Sequence, residues 1–139
     1  MQKPLKSLCA LLFLVLPVCA ALCVADARAE EELAPGFHAC TEKAQSTADN
    51  VECLTAAYNY WDKALNTNFK KAQTACADAS DAKECRAKLL KAQRLWIQYK
   101  EAMVDALYAM GGGGTMDQLT VGDFAARETK KQAQLLATE

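Results

Sequence analysis

Between residues 48 and 78 the chain contains no glycine or proline, and its apolar side chains return at helical intervals. Leu54, Tyr58, Trp61, Leu65, Phe69, Ala72 and Cys76 follow one another in steps of four or three residues. That spacing lines one face of an α-helix. A second such segment runs from 81 to 110, where Cys85, Leu89, Ala92, Trp96, Tyr99, Met103, Leu107 and Met110 repeat the pattern. Ser80-Asp81 interrupts the two and can cap the second. Gly111-Gly112-Gly113-Gly114 ends it, because consecutive glycines lose too much backbone freedom to stay helical in water. No segment alternates like a strand. The chain is predicted to be all-α, built on an antiparallel helical hairpin of two long helices.

Shorter elements flank the hairpin. Residues 30–37 are acidic, contain Pro35-Gly36, and read as a leader into the fold. A short helix is predicted around His38–Gln45, then a break over Ser46-Thr47-Ala48-Asp49-Asn50 with Thr47 or Asp49 as the next cap. A last helix is predicted from Thr115, where Thr115-x-x-Gln118 could form a capping box, to about Ala137. Leu119, Ala126, Ala133 and Leu136 are its expected core contacts. Gly122 weakens its first turns by about 1 kcal/mol relative to alanine.

The amino terminus has a different character. Lys3 and Lys6 precede an apolar run from Leu8 to Ala25 that contains Pro17, and Ala27-Arg28-Ala29 follows. A basic start, an apolar middle and a small-x-small exit mark residues 1–29 as a cleavable secretory signal peptide. The run is short for a membrane anchor, and its proline and small-residue exit argue against one. Cys19 and Cys23 stand where a lipoprotein would carry its lipid, but Val18 and Leu22 precede them where a small residue is wanted. A mature chain from Glu30 is one domain with no membrane span, able to bury roughly two-thirds of its unfolded surface.

Cleavage leaves Cys40, Cys53, Cys76 and Cys85, an even set in an exported chain, for which disulfides are expected. Three connectivities are possible; sequence order favours Cys40–Cys53 and Cys76–Cys85. The second bridge would staple the hairpin at its turn, and the first would tie the short helix to the start of the long one. There is no C-x-x-C, and the only histidine is His38, so neither a redox pair nor a metal site is expected. The mature net charge is about −3, with no basic stripe or arginine-rich tract to hold a nucleic acid. A mildly acidic surface suits a basic partner.

Some residues form an ordered string: Cys40, Thr47 and Cys53; Leu54-x-x-Ala57-Tyr58; Asp62-x-x-Leu65-Asn66-x-x-Phe69-Lys70; Ala92-Gln93-Arg94-x-Trp96-Ile97-x-Tyr99-Lys100-Glu101-Ala102; the glycines; and Arg127-x-Thr129. Over about residues 38–136 this string resembles the small secreted domain at the amino terminus of the LprI-type lysozyme inhibitors. The resemblance places an LprI-like helical domain over 38–139. Two departures stand out. A second cysteine pair carried by many such domains is replaced by Val104 and Phe124, both apolar, as expected if the two sites touch. An arginine of the last helix appears as Gln132.

Leu65, Asn66, Phe69, Gln93, Trp96 and Tyr99 form the most specific part of the resemblance. Trp96 and Tyr99 lie on the apolar face and are expected to pack in the core. Asn66 and Gln93, beside apolar positions, are expected to bridge helices through buried hydrogen bonds. Lys70, Lys71, Arg94 and Lys100 would ordinarily be solvated. The Gly111–Gly114 loop is either a tight connection or a place where a partner can approach the backbone closely.

Enzymatic activity is not expected. No Ser-His-Asp or Cys-His order is present, the glycine run lacks the lysine of a P-loop, and paired cysteines leave no nucleophilic thiol. No cofactor is expected. The resemblance implies a periplasmic or secreted bacterial binding protein that protects peptidoglycan from lysozyme or a related muramidase. Such an inhibitor could block the cleft sterically, or offer a basic or hydrogen-bonding group to the two carboxylates on which that catalysis depends. Arg94, Lys100, Gly112 and Gly113 are the candidate partner-binding residues. The alternatives are a general envelope interaction module with another ligand, or an immunity protein against a wall-degrading toxin.

Overall fold

Four α-helices, α1 (Phe37–Thr41), α2 (Thr47–Ala75), α3 (Ala82–Gly111) and α4 (Thr115–Leu135), carry the fold, with one 3-10 turn at Cys76–Asp78. They come from a computed structural model that describes residues 31–137, among which there is no strand. The segment read as a signal peptide, with Cys19 and Cys23, lies outside the described residues. The fold is all-α. α2 and α3 form the antiparallel hairpin, α1 precedes it, and α4 folds back along it.

Local chemistry sets the boundaries, in places differently from expectation. α2 is capped by Ser46 rather than by Thr47 or Asp49. The Asp49 N–H donates to Ser46 Oγ at 3.1 Å, while the Ser46 N–H donates back to Asp49 Oδ2 at 2.9 Å. This reciprocal box satisfies donors that the first helical turn leaves without partners. Asp81 caps α3, accepting the Glu84 N–H at 2.8 Å. α4 starts from Gly114 with Asp117 as its third residue, not from a Thr115–Gln118 box; Asp117 Oδ2 accepts the Gly114 N–H at 2.7 Å. α1 ends at Thr41, shorter than the expected 38–45.

Both disulfides follow sequence order, Cys40–Cys53 with Cα atoms 5.8 Å apart and Cys76–Cys85 at 5.6 Å. The first clamps α1 to the start of α2. The second joins the end of α2 to the start of α3 across the hairpin turn, where Arg86 Nε also donates to the Gln73 carbonyl at 3.2 Å.

The core lies mainly between α2 and α4, whose contact is the most extensive of any two helices; direct contact between α2 and α3 is slight. Leu54, Ala57 and Ala126 are buried together, with Tyr58, Trp61 and Leu119 packed around them. Of the expected leader 30–37, the described residues 31–37 contribute to this core: Leu33 and Ala34 are each only 3% exposed. The Trp61 indole N–H donates to the Leu33 carbonyl at 2.6 Å, and the Lys130 ammonium reaches the Glu32 carbonyl at 3.1 Å and Glu31 Oε1 at 3.0 Å. The apolar face of a two-helix layer is wide enough to need a cover, and this segment supplies it. Burying Leu33 in this way contributes about 1.5–3 kcal/mol.

α3 differs from its neighbours. None of its residues is fully buried. Leu89, Trp96, Met103 and Leu107 are half-buried on the inner side, but Ala92, Tyr99 and Met110 of the expected inner face are exposed. Tyr99 lies at the rim, edge-on to Phe124 with ring centroids 6.4 Å apart. The helical period is as expected; the core simply centres on α2 and α4, so α3 lies across its edge.

Candidate functional site

Lys100 occupies the middle of the seam where α3 meets α2. Its ammonium donates to the Tyr58 hydroxyl at 3.0 Å and lies 4.9 Å and 5.1 Å from the ring centroids of Tyr58 and Trp96. Two aromatic faces and a hydroxyl replace part of its hydration. Lys100 is therefore half-buried and joins two helices, where a lysine would ordinarily be solvated. Trp96 is half-buried here and forms one wall of this cage.

Of the two amides expected to bridge helices, one does so. Gln93 Oε1 accepts from Gln132 Nε2 at 2.9 Å, linking α3 to α4. Asn66 instead is exposed and donates within α2, to the Asp62 carbonyl at 2.9 Å and carboxylate at 3.0 Å. The bridging asparagine is Asn68, whose side chain donates to the Ala133 carbonyl at 2.8 Å. Asn68 lies on the same side of α2 as Leu65 and Trp61, three and seven residues away, which is the signal that could have found it. Leu65 is buried and Phe69 half-buried.

The glycine turn is built by its own geometry. Gly112 and Gly113 have φ of 92° and 80°, the left-handed region that ends a helix. The Gly113 N–H donates to the Tyr108 carbonyl at 3.2 Å, and the Tyr108 hydroxyl donates to the Gly113 carbonyl at 2.9 Å. A Cβ on Gly111 would overlap the Asp117 carboxylate. Three of the glycines thus have a structural reason. The turn is exposed, with Met110 and Met116 flanking it at 76% and 65% exposure.

The cross-links Lys100–Tyr58, Tyr99–Phe124 and Gln93–Gln132 fix which residues share an end of the bundle. Charge is then strongly sorted. The half around the glycine turn carries Glu42, Asp49, Glu52, Glu101, Asp105, Asp117 and Asp123 against only Lys43 and Lys100. The other half carries Lys63, Lys70, Lys71, Lys83, Arg86, Lys88, Lys91, Arg94, Arg127, Lys130 and Lys131 against Glu31, Glu32, Asp62, Asp78, Asp81, Glu84 and Glu128. Lys70 and Lys71 line a shallow depression there with Thr74, Ala75 and Asp78. Lys131, hydrogen-bonded to Glu128 at 2.6 Å, is held above the usual lysine range by that bond. Arg94 is exposed on this half, outside the ion pairs that form among the described residues. It lies far along α3 from the glycine turn, so the candidate partner-binding residues Arg94, Gly112 and Gly113 do not converge on one site.

No group of side chains that could hold a metal ion occurs among the described residues, and none of their helices is long and apolar enough to cross a membrane. Stapled helices with a sorted surface charge define a small disulfide-bonded helical protein. The chain belongs to the LprI lysozyme inhibitor family, whose model, described as Lysozyme inhibitor LprI, matches residues 40–136. Comparison with curated proteins and with solved structures finds no match.

Proposed function

We propose that this protein inhibits lysozyme or a related muramidase in the bacterial envelope, exported by residues 1–29 and oxidised to two disulfides after cleavage. The family match over residues 40–136 is the observation that carries this reading. The disulfides fit an oxidising compartment. The acidic half around the glycine turn suits a basic enzyme, whose approach such a field accelerates. With Lys100 engaged between Tyr58 and Trp96, inhibition is steric: the exposed turn, with Met110 and Met116 on either side, obstructs the cleft without a cation reaching the catalytic carboxylates.

The test is a turbidity assay on cell walls with lysozyme and an excess of oxidised residues 30–139. Lysis slows in proportion to inhibitor, and the effect weakens between about 50 and 200 mM salt as charge is screened. Unchanged lysis together with no heat of binding in calorimetry would overturn the reading.

A further inference from the structure

We propose that two copies of this protein associate through the outer stripe of α3, antiparallel and related by a two-fold axis near Ile97. Leu90, Ile97 and Val104 recur at seven-residue intervals, and Arg94 and Glu101 repeat at the same interval beside them. A seven-residue repeat of this kind is how one helix presents a continuous seam to another. This stripe flanks the inner face: Leu90 and Ile97 are 36% and 37% exposed and Val104 is half-buried, whereas Leu89 and Trp96, each one residue before Leu90 and Ile97, turn inward. Unlike α2 and α4, α3 has no fully buried residue, and Leu90, Arg94, Ile97 and Glu101 on its outer side are all exposed.

The sequence along the stripe says what covers it. A two-fold contact must be self-complementary. Turning α3 end for end about Ile97 sets Leu90 against Val104 of the second copy and Ile97 against its own equivalent. The same operation brings Arg94 beside Glu101 of the second copy, twice. Neither Arg94 nor Glu101 takes part in the ion pairs formed among the described residues. In a parallel arrangement Arg94 would face Arg94 and Glu101 would face Glu101, so charge selects the antiparallel one. The polarity of the whole bundle adds to this, because the basic half of one copy then lies along the acidic half of the other. The interface is small, at the weak end of the range for specific association. The two glycine turns point away from each other, about 40 Å apart at 1.5 Å per residue, and both stay open. This association does not depend on the inhibitor reading.

Sedimentation equilibrium of the oxidised chain, over about 10–300 μM protein, tests it. The wild type moves from monomer to dimer across that range. Arg94→Glu places glutamates opposite each other at both symmetric positions and weakens the dimer at least about tenfold, the size of two lost surface pairs plus like-charge contact. Arg94→Glu with Glu101→Arg restores it, which no effect on the monomer alone would do. Circular dichroism confirms that each variant is folded. A wild type monomeric throughout, a dimer indifferent to Arg94→Glu, or a double variant that stays monomeric overturns the proposal. The turbidity assay reads separately: loss of inhibition with the dimer intact rejects the functional reading and leaves this one standing.

Discussion

At Gly122 the fourth helix forgoes the roughly 1 kcal/mol by which alanine favours a helix over glycine. The reason is proximity. A Cβ there would lie 3.3 Å from Leu54 Cδ1 and 3.4 Å from Leu54 Cβ. The Cβ of Leu54 is fixed to the backbone of α2 and cannot rotate away, so the two helices would have to part by a few tenths of an ångström. Gly122→Ala is therefore expected to bring no rise in the urea midpoint, and Gly122→Val to cost about 1–3 kcal/mol through overpacking. A gain near 1 kcal/mol for the alanine variant would show that the helices are not in close contact. Lys100 teaches a related lesson. In the sequence it is one more lysine on a charged helix, and only the approach of Tyr58 from α2 turns it into a structural cation. Such a role depends on a neighbour forty-two residues away in the chain, beyond the reach of periodicity.

Among the elements, the long helices and the pairing of cysteines were legible because each rests on information close in sequence: an apolar period, a glycine stop, two short loops. The caps were less so, since Ser46, Thr47 and Asp49 are all good cap residues and differ by one or two positions. The observed box makes a pH prediction. The Gln45 N–H, and then Ser46, hold the Asp49 carboxyl below the ordinary aspartate range. A carboxyl whose folded value is lowered contributes stability above its unfolded value, and that contribution disappears as pH falls through the folded one. Below about pH 4 the wild type is expected to lose stability that an Asp49→Asn variant, already without the charge, does not lose; parallel acid titrations with the same loss in both would rule the effect out. The Cys76–Cys85 staple closes a nine-residue separation. Replacing both by serine should lower stability by about 2–3 kcal/mol, seen as a lower urea midpoint with the helical signal retained before unfolding. An unchanged midpoint would mean that the turn is already held by Asp81 and Arg86.

Over the whole molecule, what the sequence hid is what depends on three helices at once. Each helix taken alone mixes both signs of charge. Only the antiparallel return of α3 and the fold-back of α4 collect the carboxylates of three segments at the glycine turn and the lysines of three others at the far end. The placement of residues 31–34 was hidden for a similar reason: an acidic, proline-containing stretch carries no period, yet Trp61 and Lys130 draw it into the core. Arg94 and the glycines share a chemistry suited to a partner, but a 30-residue helix places them at different ends of the bundle, and the spacing of Arg94 from Gly111 already shows it.

The absence of any fully buried residue on α3 also bears on motion. A helix that rests on the core edge, and is bound covalently only at its first turn, can open while α2 and α4 stay paired. Native-state amide exchange should then divide the protein into two cooperative units. The amides in the middle of α3 would exchange through an opening cheaper than global unfolding, and those around Leu54, Leu65 and Thr129 only through the global event. Equal protection in all three helices would contradict this. A helix so lightly held can also exchange its outer residues over evolutionary time without loss of the fold, which leaves α3 the part of the molecule most free to be retuned for a new partner.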